Sequence, residues 1–285
     1  MELKLLDLFS GIAGFSYAAE KIVGGYKTTQ FVEKDPYCQS VIRKNFPNIP
    51  IHDDITTFKA ERGQFDVFTI GFPCQDLSVA GRKKGIGEGT RSGLFYESIR
   101  LLREVRPRFA LFENVRNLLS HENGETFQEV LFQIAKAGYN AEWSVISARD
   151  MGACHLRERI WIVAYTNGKR LERRLPELQQ ELQETGQPGQ KDSLCSTNTD
   201  SSGTQGNSEG MEKPIWKHAF FNSKERRTLS PDWTGYVSEP CLCRGDDGLR
   251  GRVARLKAMG NSIVPACAAV PLQRIKDLNS SIYND

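Results

Sequence analysis

Long apolar runs are missing from this chain: none approaches the ~18 consecutive apolar residues that cross a bilayer, which excludes a membrane-spanning helix, and no membrane partner is expected. Histidine is scarce, four in 285 residues, and none is spaced as a metal ligand. Cysteines number seven, an odd and scattered set without a C-x-x-C pair. Cys241 and Cys243 form a C-x-C, too tight for the usual zinc half-site. A disulfide framework and a structural metal are thereby disfavoured, and the reading is no metal and a reducing cytoplasm. The opening "MELKLLDLFSG" runs straight into a core strand, so no secretory signal is read there. Internal repeats are absent, as is an excess of charge of one sign, the formal net charge being only +3.

What is present is ordinary globular material, 39% hydrophobic and 26% charged, enough for one large domain and a small one. Short apolar segments ending in glycine or proline alternate with amphipathic ones. "LKLLDLF", "KTTQFVEKD", "FDVFTIGFP", "RFALFENV" and "RERIWIVAY" read as strands. "AGFSYAAEKI", "PYCQSVIRKNF", "SGLFYESIRLLREV" and "TFQEVLFQIAKAG" read as helices, the second opened by Pro36 and the last closed by Gly138. This alternation predicts an α/β fold with a doubly wound, mostly parallel sheet covered on both faces, its chemistry gathered at the carboxyl ends of the strands. The pattern fails after about Thr166, where Gln, Ser, Thr and Gly dominate and a loop-rich insert is expected. Order returns near "PIWKHAFF" and "PDWTGYV", and a last helix is expected over residues 265–278. The small net charge is unevenly placed: residues 82–116 carry nine basic and four acidic side chains, residues 157–174 six and two, and residues 244–257 five and two. These runs are either solvated faces or the walls of a polyanion cleft.

Cys74 ends the strand "FDVFTIGFP" and Glu113 ends "RFALFENV", one loop–helix–strand unit further on. If those strands are neighbours, a thiol and a carboxyl emerge side by side, the pairing that covalent catalysis needs. Arg157 and Arg159, two apart on a presumed strand, point the same way, and paired guanidiniums suit a carboxylate, a phosphate or a polarised carbonyl, or lower the pKa of a nearby thiol. "DLFSGIAGF" places Gly11 and Gly14 in a strand–helix turn, although it is not G-x-G-x-x-G. Glu33 and Asp54 sit at the next two strand ends, where an acid can bond ribose hydroxyls or accept from an adenine amino group. Together these point to an adenosine-containing cofactor.

"DLFSGIAGF", "GFPCQ", "ENV", "RERIWIVA" and "RLKAMGNSIVP", in this order, closely resemble the DNA (cytosine-5)-methyltransferase family, in its bacterial or phage form. The resemblance covers residues 5–165 and 244–275 and implies an S-adenosylmethionine-dependent, Rossmann-like fold with a small target-recognition domain. It implies that Cys74 attacks carbon 6 of a flipped-out cytosine, that Glu113 holds N3 and the exocyclic amine, and that Arg157 and Arg159 orient the base. Phe9, Ser10, Gly11, Ile12, Gly14, Glu33, Asp54, Ile55, Pro73, Leu94, Asn261 and Ser262 match the family's S-adenosylmethionine pocket, Glu33 as ribose ligand and Asp54 as adenine ligand. Ser78 matches a position contacting the flipped nucleotide's backbone, and the basic, glycine-rich loop 80–93 reads as a mobile lid.

Two positions depart from the family's pattern: His155 stands where Gln is frequent, and Lys34 where an aromatic ring often stacks on adenine. The implied organisation is a catalytic and cofactor-binding domain over 1–165, a target-recognition region over 166–243 and a returning segment over 244–285. Trp216, Trp233 and the basic run "GKRLERRL" are candidate DNA readers. The implied partner is double-stranded DNA, the implied state a monomer, with a cognate restriction endonuclease as a further partner. A transfer-RNA cytosine-5 methyltransferase and a catalytically idle DNA-binding regulator of the same fold are the competing readings.

Overall fold

Seven strands form one sheet in the computed structural model, which describes residues 2–73, 93–166 and 258–283. Cys74, Ser78, the basic loop as far as residue 92, the insert from residue 167 and the charged stretch 244–257 lie outside the described residues. Five strands are parallel: β1 (Leu3–Leu8), β2 (Tyr26–Val32), β3 (Ile51–His52), β4 (Val67–Ile70) and β5 (Phe109–Val115). Two more, β6 (Asn140–Ser147) and β7 (Glu158–Tyr165), complete the order β3-β2-β1-β4-β5-β7-β6, with β7 antiparallel to both neighbours. Among the described residues the longer helices and the first turn are α1 (Gly14–Tyr17), α2 (Pro36–Asn45), α3 (Gly93–Val105), α4 (Glu125–Lys136) and α5 (Pro265–Tyr283), with a further helical turn over 258–261. None is long and apolar enough to cross a membrane.

Both faces of the sheet are buried, which is why the central strands are almost continuously apolar. In β5, Ala110 and Phe112 pack with Leu6, Phe68, Phe95 and Ile162 on one face. Phe109 and Leu111 pack with Leu5, Val67, Trp161 and Leu272 on the other. The doubly wound α/β sheet is thus the one the strand–helix alternation implies. Local signals hold as well. Asp35 caps α2, accepting the backbone N–H groups of Tyr37 and Cys38 at 2.9 and 3.1 Å with Pro36 in the first turn.

Two elements differ from the sequence expectation. The helix expected over "AGFSYAAEKI" makes one α-turn, then widens into a π-helix over Ala18–Val23 that ends at Gly24 and Gly25, with φ 72° and 80°. The widened turn packs against α5, and Lys276 lies 3.5 Å from where a Gly25 Cβ would stand. Strand β6 escapes the sequence reading because Glu142 and Ser144 interrupt its apolar run although both are buried. Arg274 of α5 makes Glu142's burial possible, donating from Nε and Nη2 to the two carboxylate oxygens at 2.6 and 3.2 Å.

Helix α5 runs five residues beyond the expected end and carries Pro271 in its interior. Tyr26 donates its hydroxyl to the Leu272 carbonyl at 2.5 Å, and Cys267, Ala268, Leu272 and Ile275 are buried in the core beside β1 and β7. The chain's last described segment is therefore part of the central fold. Replacing Arg274 by Ala would leave the Glu142 carboxylate buried without its partner, and unfolding in urea is expected to show a loss of about 3–5 kcal/mol.

Candidate active site

The chain leaves β1 toward β2 on one side and later returns to β4 on the other, so a crevice opens beyond the carboxyl ends of these strands. A cleft of about 510 Å³ occupies that position, within the range of small-molecule sites. Phe9 follows β1, Glu33 follows β2, Asp54 and Ile55 follow β3, Gly71–Pro73 follow β4, and Glu113 belongs to the end of β5; all line it. Leu94, Arg157, Arg159 and Asn261 close the circle. Because β7 runs antiparallel to β5, its beginning reaches the same edge as the end of β5.

Glu113 and Arg159 form the chemical centre of the described part. Glu113 pairs in register with Trp161, so Arg159, two residues from Trp161, faces the same side of the sheet as Glu113. Arg159 Nε lies 3.0 Å from Glu113 Oε1. Burial pushes the Glu113 carboxyl up to about 7, against the pull of Arg159 and Arg157, so it holds a proton much of the time near neutrality. The ends of β4 and β5 adjoin: Glu113 Oε2 is 3.9 Å from where a Cβ on Gly71 would stand. Asn114 ties them further, donating from Nδ2 to the Phe72 carbonyl at 3.1 Å. Phe72 and Pro73 are the last described residues before Cys74 in the chain.

The acidic side of the cleft is built from backbone donors. Glu33 accepts the N–H of Gly11 on one oxygen and that of Asp35 on the other, both at 2.7 Å. Burial outweighs these bonds and raises its pKa. The Lys34 backbone N–H bonds the same carboxylate, so three backbone donors hold it and about one of its lone-pair sites is left for a ligand. Asp54 accepts from the Thr56 backbone N–H at 2.9 Å and its hydroxyl at 2.8 Å, which hold its pKa below the usual carboxylate range. Lys34 Nζ stands 3.7 Å from Asp54 at the exposed mouth.

Beneath the first turn lies a buried acid that sequence reasoning did not single out. Asp7 accepts hydroxyls from Ser16 at 2.7 Å and Thr69 at 2.9 Å, and its own carbonyl accepts from Ser10 at 2.6 Å. Complete burial lifts its pKa to about 7. Phe9 leaves β1 with φ 55°, a left-handed conformation that is uncommon for a non-glycine residue.

Of the residues matched to a cofactor pocket, Phe9, Glu33, Asp54, Ile55, Pro73, Leu94 and Asn261 line the cleft. Ser10, Gly11, Ile12, Gly14 and Ser262 are not part of the lining. Ser10 is buried in its bond to Asp7, Gly11 bonds Glu33, and Gly14 leaves room for Ile263. Arg157 does not lie on β7: it precedes the strand with φ 28° and sends its guanidinium to the Gly260 and Ser262 carbonyls. Asp53 and Asn114 line the cleft without having been named as site residues; no spacing rule points to either.

Fold and cleft together define a doubly wound α/β protein with a cleft at the topological switch point. The profile of the C-5 cytosine-specific DNA methylase family matches residues 3–241, and the chain belongs to that family. Type II methyltransferase M.Bsp6I from Bacillus sp. (strain RFL6) is 36% identical over 167 residues, 58% of this chain and 53% of that protein. Type II methyltransferase M.HhaI from Haemophilus parahaemolyticus is 34% identical over 165 residues, 58% of this chain and 50% of that protein. The chain thus spans about half the length of the curated relatives it matches. The solved S. pombe Dnmt2 methyltransferase aligns with a TM-score of 0.48 at 23% identity, over 59% of this chain and 52% of that one.

Asp7 and Glu113 both have pKa values raised to about 7. The native state therefore keeps protons that the unfolded chain has already released, so their stabilisation is full below about pH 4 and fades as pH rises through 7. Asp7→Asn is expected to flatten the fall in unfolding free energy between about pH 5 and 8 by close to one proton, measured by urea titrations across that window.

Proposed function

We propose that this chain is a DNA (cytosine-5)-methyltransferase that moves a methyl group from S-adenosylmethionine to carbon 5 of a cytosine swung out of duplex DNA. The observation that carries this reading is Glu113, a buried, partly protonated carboxyl held by Arg159 beside the strand end that leads into Cys74. The family match and the Type II relatives support it. They also support a place in a restriction–modification system, with a cognate endonuclease acting on the same sites.

The donor set suits the cofactor. Phe9, Ile55 and Leu94 offer apolar contact for an adenine, Glu33 a remaining acceptor site for a ribose hydroxyl, and Asp54 an acceptor for the amino group. Glu33, Asp53 and Asp54 put carboxyl groups on one side of the cleft, where they can face a sulfonium cation, while Lys34, Arg157 and Arg159 balance their charge. S-adenosylmethionine, when bound, supplies an electrophilic methyl group.

The protein's residues do the rest. The Cys74 thiolate adds to carbon 6 and places negative charge on the ring. Glu113 donates its proton toward N3 and accepts from the exocyclic amine, offsetting that charge, while Arg159 holds the carboxyl in place. After carbon 5 takes the methyl group and loses its proton to water, the C6–S bond breaks, N3 returns its proton to Glu113 and the thiolate is regenerated. Residues 166–243 are assigned to target recognition, 1–165 and 244–285 to the catalytic body, and the working unit to a monomer in the cytoplasm.

Tritium transfer from labelled cofactor to duplex DNA and to transfer RNA tests this reading. Wild type is expected to label duplex DNA. Cys74→Ser should lower transfer by about a thousandfold or more, and Glu113→Gln by about a hundredfold or more. Labelling of transfer RNA alone, or an unimpaired Cys74→Ser protein, would contradict it.

A further inference from the structure

Arg157 uses its guanidinium in a way the catalytic reading does not require. Its Nη2 donates to the Gly260 carbonyl at 3.0 Å and to the Ser262 carbonyl at 2.5 Å. These two carbonyls flank Asn261, the residue that brings the returning segment into the cleft wall. The neighbouring Arg159 makes the carboxylate contact with Glu113 instead. The two arginines therefore divide their work: one faces the proposed base site, the other grips the backbone on either side of a cleft residue.

A second contact, from a different element, holds the same segment. A Cβ on Gly14 would stand 2.7 Å from Ile263 Cγ1, so Ile263 packs directly onto the first turn of α1 in space that only a glycine leaves open. The Ser262 N–H donates to Ala258 at 3.0 Å, closing a helical turn around Asn261. The segment is thus wedged between the turn after β1 and the loop before β7. Arg157 holds its position with φ 28°, a backbone strain tolerated where surrounding contacts over-determine the conformation.

We infer that Arg157 is a positioning residue that clamps residues 260–262 into the cofactor wall, so that docking of the returning segment and cofactor affinity are coupled. The inference rests on the cofactor reading of the cleft. The coupling is reciprocal: whatever loosens the clamp weakens cofactor binding, and bound cofactor protects the clamped segment.

The test uses the full-length chain with Arg157→Met, which keeps the stem and removes the donors, and Gly14→Ala, which presses on Ile263 from α1. Gly14 has no positive φ, so Ala there brings no backbone strain and acts on the segment through its contact with Ile263. Amide hydrogen exchange of residues 260–264 without ligand is expected to speed up about tenfold or more in both variants. Calorimetry with S-adenosylhomocysteine should show Kd raised about tenfold or more, with duplex DNA affinity changed less than about twofold. Adding Ile263→Ala to Gly14→Ala should recover part of the affinity. Unchanged exchange in both variants overturns the clamp. Unchanged S-adenosylhomocysteine affinity with reduced kcat overturns the coupling and returns Arg157 to the base site. Faster exchange in a protein whose wild type does not bind S-adenosylhomocysteine keeps the clamp but removes both the coupling and the cofactor reading.

Discussion

A carboxyl taken out of water and kept beside a guanidinium is the constraint around which this cleft is organised. Glu113 reaches its place because β5 is central and parallel to β4, and Arg159 reaches Glu113 because β7 reverses direction and begins at the edge where β5 ends. Burial alone would make the carboxyl a plain neutral acid, and the guanidinium alone would make it a plain anion. Acting together they leave it near the midpoint at neutral pH, where it can donate a proton to a ring nitrogen and still accept from an amine.

The rest of the crevice follows from the same sheet edge. Glu33 and Asp54 are anchored by backbone N–H groups and a threonine, with Lys34 beside Asp54 at the opening. Asp7 binds α1 to β4 through Ser16 and Thr69, which fixes the turn from which Phe9 enters the cleft. The far side is supplied by the end of the chain: α5 is held by Glu142–Arg274 and Tyr26–Leu272, and the segment before it is gripped by Arg157. A site begun at residue 9 is finished some 250 residues later by contacts no local signal encodes.

Much of this was legible because strand ends carry local marks. The apolar runs before Glu33, Pro73 and Glu113 identified β2, β4 and β5, while the adjacency of β4 and β5, a condition in the sequence reading, is met in the sheet. What was not legible depended on distant partners. Glu142 conceals β6 until Arg274 is known to reach it. Arg157 reads as a strand residue until its φ of 28° and its carbonyl acceptors are seen. Gly14 reads as a glycine for a ligand, whereas Ile263 takes its space. Cys74, Ser78 and the recognition stretch lie outside the described residues, and their roles rest on the motifs and the family.

Carbon-13 NMR of the Glu113 side-chain carboxyl, titrated in the ligand-free protein, tests the central claim most directly. The account predicts a midpoint near 7, moving upward in Arg159→Met as the stabilising guanidinium is lost. A midpoint near the ordinary glutamate value, about 4.3, or one indifferent to Arg159, would contradict it.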